Sequence, residues 1–295
     1  DWERIYDQYE GLFSLHKMTM FEMDLWMSLA YFIEQKVDYC IIEAGMGGRL
    51  DATTALDYQA CLITNVGLDH TEYLGNTFEQ IAYEKSGIFK PNVPALTTED
   101  KPECRKVMEL VADYMNTPLC FIDCQETDVL RWNGMTFHLN PPLYQAKNLS
   151  LALETLNVLG IWLEENEIQE VIDHFQWAGR FMVLRKAPLV LLDGAHNVHG
   201  ITALTHSLKD FKGKIYFSVL KEKDAPHMIE LLQTISKDIT LVEISSARLY
   251  PLKKLGYPII TVDELISILL DTKEDSLLCG SLYYVGEVLE KWGNV

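Results

Sequence analysis

Glu43 closes an apolar run and opens onto glycines at 45, 47 and 48 in the stretch IIEAGMGGRLDATT. A carboxylate at a strand end is a rigidly held hard-oxygen donor that suits a magnesium ion, and the same residue type also serves as a capping acid at a turn. The glycines invite comparison with a phosphate cradle, but the Gly-Lys-Ser/Thr ending of such a loop is missing. His70 ends NVGLDH after a second apolar strand, and reads either as a metal ligand or as a hydrogen-bonded loop histidine. Glu43 and His70, carried by two strand ends, could share one ion. Lys85 follows Glu79 and Glu84 in a helical stretch; taken alone it is a lysine favoured by the dipole at a helix C-terminus.

The second half repeats the arrangement. Asp193 ends the apolar strand of LVLLDGAHNVHG, where it could accept from a ribose hydroxyl while His196 and Asn197 line a nucleotide edge. The G-x-G-x-x-G fingerprint of a dinucleotide fold is absent there, which disfavours a dehydrogenase. Arg180, in WAGRF, offers a planar fork for phosphate. A fourth strand-end segment, LKEKD, carries Lys223 and Asp224. In open parallel sheets, loops at the carboxyl ends of strands are where ligands bind.

Such loops need an alternating scaffold. Apolar periodicity predicts helices over residues 2–13, 19–36, 77–89, 101–116, 144–159 and 165–175. Strands are expected over 37–43, 60–64, 93–98 and 118–123, then around 181–185, 188–192, 214–220, 239–244 and 276–280. Asn133-Gly134 between two apolar-rich runs predicts a hairpin over 129–139. The fold class is therefore α/β, with a mostly parallel sheet in residues 1–177 and a second, Rossmann-like α/β domain in residues 178–295.

The 43 acidic residues against 25 basic, a formal charge of -18, argue against nucleic acid and anionic membrane as partners. A local basic pocket for a small anion is compatible with that balance. The six cysteines form no CxxC pair, as expected of reduced, largely buried thiols in a cytoplasmic protein. No apolar stretch is long enough to span a bilayer, and the N-terminal residues have no signal-peptide character. The sequence begins at Asp1 and not at methionine, so an N-terminally truncated chain is expected.

IIEAGMGGRLDATT, ITNVGLDHTEYLGNTFEQIAYEKSGIFK, WAGRF, LLDGAHNVHG and CGSLYYVGEVL resemble, in that order, the motifs of the folylpolyglutamate synthase and dihydrofolate synthase family of the Mur ligase superfamily. The resemblance implies a partial central ATPase domain over 1–177 and a C-terminal ligase domain over 178–295. It implies magnesium ligands at Glu43 and His70, and a Lys85 that is carried as a carbamate and belongs with them to the catalytic set. Asn148, Arg180, Asp193 and His196 would bind ATP. The implied reaction is ATP-dependent ligation of L-glutamate to the terminal carboxylate of a folate, through an acyl phosphate, in a cytoplasmic monomer. Dihydrofolate synthase or bifunctional activity is the alternative within the family. Another Mur-type ligase and a non-catalytic nucleotide-binding descendant are the rivals outside it. The family's Gly-x-x-Gly-Lys-Ser loop does not occur in these residues, so the 295-residue chain alone is expected to be inactive. Thr54 and Val198 stand where relatives often carry asparagine and proline, and neither difference removes a charged group.

Overall fold

The computed structural model describes residues 1–140 and 142–293. The chain opens with two helices, α1 (Trp2–His16) and α2 (Met20–Gln35). Thr19 and Glu22 close a capping box at the start of α2, satisfying N–H groups that have no partner inside the helix. Ile5, Phe13 and Met27 form the buried seam of this part.

The segment expected as a strand over 37–43 is not one. It runs without regular pairing, and Ile41 is 93% exposed. Its apolar pattern suits a buried strand, but a strand exists only where a neighbour takes its backbone hydrogen bonds. The chain continues through a short 3-10 turn (Ala52–Ala55) to β1 (Cys61–Ile63), α3 (Thr71–Leu74), α4 (Phe78–Ser86), β2 (Ala95–Thr97), α5 (Pro102–Met115) and β3 (Leu119–Phe121). These strands form a parallel sheet in the order β1-β2-β3, with Ile63, Thr97 and Phe121 in register at its carboxyl edge. Helices α4 and α5 cover it through Ile81, Ala82, Cys104, Met108 and Ala112.

A hairpin follows, β4 (Val129–Trp132) and β5 (Met135–His138). Asn133 and Gly134 both adopt positive φ, 46° and 82°, as a two-residue turn between twisted strands requires. Next come α6 (Gln145–Val158) and α7 (Glu165–His174). The remainder is β6 (Met182–Lys186), β7 (Leu189–Asp193), α8 (Val198–Ser207), β8 (Lys214–Phe217), α9 (Ala225–Leu232), β9 (Ile239–Glu243), a 3-10 turn (Leu252–Leu255), β10 (Ile259–Thr261), α10 (Val262–Asp271), β11 (Ser276–Cys279) and α11 (Leu282–Trp292). The six-stranded sheet has the order β10-β9-β8-β11-β7-β6 and is parallel except for β6.

Both faces of that sheet are covered, so its strands read as continuous apolar runs. Leu191, Ile215, Phe217, Leu241 and Leu277 pack on one face. Their neighbours Val190, Leu192, Tyr216, Val242 and Leu278 pack on the other. β10 is a strand that the sequence pattern did not reveal, because three residues are too few to show a period.

Two compact units result: residues 1–123 with 151–161, and residues 124–150 with 162–295. The hairpin and α7 thus pack within the second unit. Of the six free cysteines, Cys61, Cys104 and Cys279 are buried, Cys124 is partly exposed, and Cys40 and Cys120 lie at the surface.

Two glycines give opposite expectations. A Cβ on Gly87 would stand 2.2 Å from the Cα of Arg49, whereas one on Gly286, inside α11, meets nothing within 4 Å. Gly87→Ala is expected to destabilise the protein by about 1–3 kcal/mol through overpacking. Gly286→Ala is expected to stabilise it by roughly 0.4–1 kcal/mol through lower unfolded-chain entropy. Urea unfolding of both variants reads the difference.

Candidate active site

The first constellation belongs to the first unit and is built by docking a loop onto a helix end. Gly48 lies against the last turn of α4, where a Cβ would come within 2.7 Å of the Lys85 carbonyl oxygen. The Arg49 N–H donates to the Glu84 carbonyl at 2.8 Å, and the Arg49 guanidinium grips the Glu84 carboxylate at 2.9 to 3.2 Å. Asp51 organises the loop from within, accepting from the N–H of Met46 at 3.0 Å and from the N–H and hydroxyl of Thr53 at 3.0 and 2.6 Å. Partial burial pushes the Asp51 carboxyl up, but the Thr53 hydroxyl and the backbone donors outweigh it and hold the group below the usual carboxylate range. Thr54 donates to the Gly48 carbonyl at 2.5 Å, and the Lys90 ammonium donates to the Thr54 carbonyl. Gly48 therefore serves close packing of the loop on α4, while Gly45 and Gly47 face Phe21 and Leu74, and Glu43 leads directly into the packed segment.

Lys85 sits in the last turn of α4, half-buried. Burial lowers its ammonium below the ordinary lysine value, and the carboxylates of Asp69 and Glu43, in that order, pull it back up. So this lysine is not a solvated helix-end cation; it stands in the field of two carboxylates from two other segments. Asp69 is the member that sequence reasoning passed over, and its only signal was adjacency to His70. His70 adopts a left-handed conformation with φ 50°, begins α3, and donates its N–H to the Asp69 carboxylate at 2.9 Å. Glu43 and His70 are both exposed. Among the described residues no group of three or more His, Cys, Asp and Glu side chains forms a metal cage. Magnesium does not require one: it is commonly held by one or two protein ligands together with substrate phosphates and water. The donor set fits that pattern.

The second constellation belongs to the second unit, around the carboxyl end of β7. Asp193 is buried; its two carboxylate oxygens each accept one backbone N–H at 2.7 Å, from Phe181 and from Ala195. Burial pushes its carboxyl up, while those N–H groups, Arg180 and His196 pull it down, and burial prevails. Gly194 donates to the Gly179 carbonyl at 2.7 Å, and a Cβ on Gly194 would meet both that oxygen and Leu282. The two glycines thus let the Arg180 segment lie backbone to backbone against the end of β7. The Arg180 side chain is exposed, and His196 points a ring nitrogen at the Gly194 carbonyl, 2.9 Å away. Tyr144, just before α6, is a residue that nothing in its local pattern singles out. Burial raises its hydroxyl pKa, the Asp193 charge adds to that and Arg180 opposes it, which puts all three in one electrostatic neighbourhood. Asn148 is exposed one turn into α6 and donates to the Gln145 side chain at 2.9 Å. Asp224 is the N-cap of α9, accepting from the His227 N–H at 3.4 Å.

Comparison with known proteins supplies the frame for both constellations. Residues 5–140 match the model of the Mur ligase middle domain. A dihydrofolate synthase/folylpolyglutamate synthase of Bacillus subtilis is 30% identical over 310 residues, covering 92% of this chain and 72% of the relative. The crystal structure of folylpolyglutamate synthase from Thermotoga maritima, 29% identical, superposes with a TM-score of 0.78 over 98% of this chain and 75% of its own. A bifunctional folylpolyglutamate synthase/dihydrofolate synthase of Yersinia pestis, complexed with AMPPNP and manganese, is 27% identical with a TM-score of 0.81, covering 94% of this chain and 72% of its own. With this extent of similarity in sequence and fold, the chain belongs to the dihydrofolate synthase/folylpolyglutamate synthase family, whose fold is that of the Mur ligases.

Proposed function

We propose that the protein to which this chain belongs is a folylpolyglutamate synthase, joining L-glutamate to the terminal carboxylate of a folate at the expense of ATP. The observation that carries the reading is Lys85 held half-buried in the field of Asp69 and Glu43, beside the docked glycine loop. The double name of the Bacillus subtilis relative favours a second reading, in which the same protein also acts on dihydropteroate as a dihydrofolate synthase.

Glu43 and His70 would hold a magnesium ion, with Lys85 as a carbamate turning a cation into an oxygen donor that suits the same ion. When bound, the ion neutralises charge on the phosphates of ATP. Arg180 would reach those phosphates with its fork, Asp193 would accept from the ribose, and His196 and Asn148 would line the nucleotide pocket. ATP phosphorylates the folate carboxylate; the glutamate amine then attacks the acyl phosphate carbon, and the tetrahedral adduct expels phosphate. Holding amine and acyl phosphate together, and keeping water away, are the main tasks left to the chain.

We place the functional boundary at residues 177 and 178, with an ATP-binding ligase part before it and a C-terminal ligase part after it. No Gly-x-x-Gly-Lys-Ser/Thr run occurs in the 295 residues, and such a loop is a main support of the β and γ phosphates. On this reading the 295 residues alone do not turn over. We further read the protein as a cytoplasmic monomer. No helix among the described residues is long and apolar enough to cross a membrane.

The deciding measurement is the intact mass of the untagged protein from its own cells, with phosphate release assayed on the same material. A mass above that of the 295-residue chain, with phosphate released only when ATP, a folate and L-glutamate are all present, is expected. A mass equal to that chain and no phosphate with any folate would overturn the ligase reading.

A second measurement concerns Lys85. Only the neutral amine adds carbon dioxide, and burial has lowered the Lys85 pKa, so the neutral fraction grows as pH rises through that lowered value and vanishes below it. With 13C-bicarbonate, a carbamate carbon signal is expected to strengthen as pH rises and to be absent in Lys85→Arg. In the ligase assay Lys85→Arg is expected to lose roughly 10–100-fold in rate. An unchanged carbon spectrum between wild type and Lys85→Arg refutes the carbamate.

A further inference from the structure

Glu99 is 2% exposed. A carboxylate so deeply buried is rare unless it is paired and hydrogen-bonded. Its Oε1 accepts from the N–H groups of Asp100 and Lys101 at 3.0 and 2.8 Å and from the Lys101 ammonium at 3.2 Å. Those contacts alone would make it a local anchor for the start of α5, where Lys101, the N-cap, offers no capping side chain. Its Oε2 has another partner: it accepts from the N–H of Val66 at 2.5 Å, 33 residues away. One residue earlier, the Thr98 hydroxyl donates to the Thr64 carbonyl at 2.6 Å. The stretch leaving β1 is therefore tied at Thr64 and at Val66 to the stretch leaving β2, at the edge where Ile63 and Thr97 are in register. Asp69 and His70 follow within four residues of the second tie.

We propose that Glu99 is a positioning residue for the metal-facing loop: by clamping the Val66 N–H it fixes where the chain releases Asp69 and His70 toward Lys85. This rests on the reading of Glu43, His70 and Lys85 given above. The role calls for a carboxylate. Donors approach from both sides, and a glutamine at 99 has a single oxygen to offer them. That oxygen stays with the two N–H groups and the ammonium on the α5 side, where three donors converge. The NH2 group then faces the Val66 N–H, donor against donor, and the loop is released while the sheet and the start of α5 keep their bonds.

Glu99→Gln is therefore tested in the purified protein by two readouts other than activity. Amide hydrogen exchange is expected to accelerate across residues 64–70 and to stay unchanged in β2 and β3. Manganese affinity, titrated with Mn2+ alone by electron paramagnetic resonance, is expected to fall by roughly 10–100-fold, the usual penalty for losing a residue that orients a metal ligand. If Glu99→Gln does not fold, Thr98→Val carries the test, since it removes the neighbouring tie without disturbing a buried charge; the same two changes are expected at smaller size. Wild-type exchange and wild-type affinity in the variant would overturn the positioning role and leave Glu99 an anchor of α5. A wild-type protein that takes up no Mn2+, either alone or with AMPPNP present, would overturn the metal reading of the site itself, and this inference with it.

Discussion

Docking of the 45–51 loop onto the end of α4 is the constraint on which the first constellation depends. Two glycines make it possible from opposite sides, Gly48 on the loop and Gly87 on the helix, each so close to the other segment that a methyl group could not be inserted. Arg49 then fastens the contact by holding both the carbonyl and the carboxylate of Glu84. The pairing is partly exposed, so its Coulombic part is modest; its value is geometric. It fixes the loop that Glu43 enters relative to Lys85, the residue next to Glu84, without any strand to carry Glu43.

The second constellation solves the same problem with a sheet. β7, β8 and β11 are in register, so that Asp193, Phe217 and Cys279 end side by side. Burial on both faces keeps those ends rigid. Asp193 is spent on its own scaffold as much as on any ligand: both oxygens hold backbone N–H groups of the loops on either side. A group held by both loops keeps its orientation without any ligand, and that preorganisation is what the proposed recognition role would require.

What the sequence made legible was local. The Asn133-Gly134 turn, the alternation of strands and helices, and the strand-end placement of His70 and Asp193 all follow from residues within a few positions of each other. Three features were not legible, for a common reason. Residues 37–43 have a strand's composition and no strand's pairing, because pairing is a property of the neighbour. By its local pattern Lys85 is a helix-end lysine, and what sets it apart in the structure is the charge of Asp69 and Glu43, remote in sequence. Glu99, in TTED, carries no local signal, because its decisive partner lies at Val66, 33 residues away. Asp224, among the strand-end candidates beside Lys223, is also the N-cap of α9.

The charges around Lys85 bear on how the proposed site would be switched on. As an ammonium, Lys85 is compensated by Asp69 and Glu43, and the cost of its burial is partly offset. As a carbamate it becomes an anion facing those two carboxylates, an arrangement that like-charge repulsion opposes unless a cation joins it. Metal and carbamate are then linked: each improves the free energy of binding the other by the same amount, as reciprocity of coupled equilibria demands. A chain with a formal charge of -18 that is read as handling two anionic substrates gains from such linkage. Under that proposal, negative charge at the site would be completed only when the divalent ion is there to be held. On the proposed reading the ion would in turn offset the repulsion between those carboxylates and the phosphates of ATP.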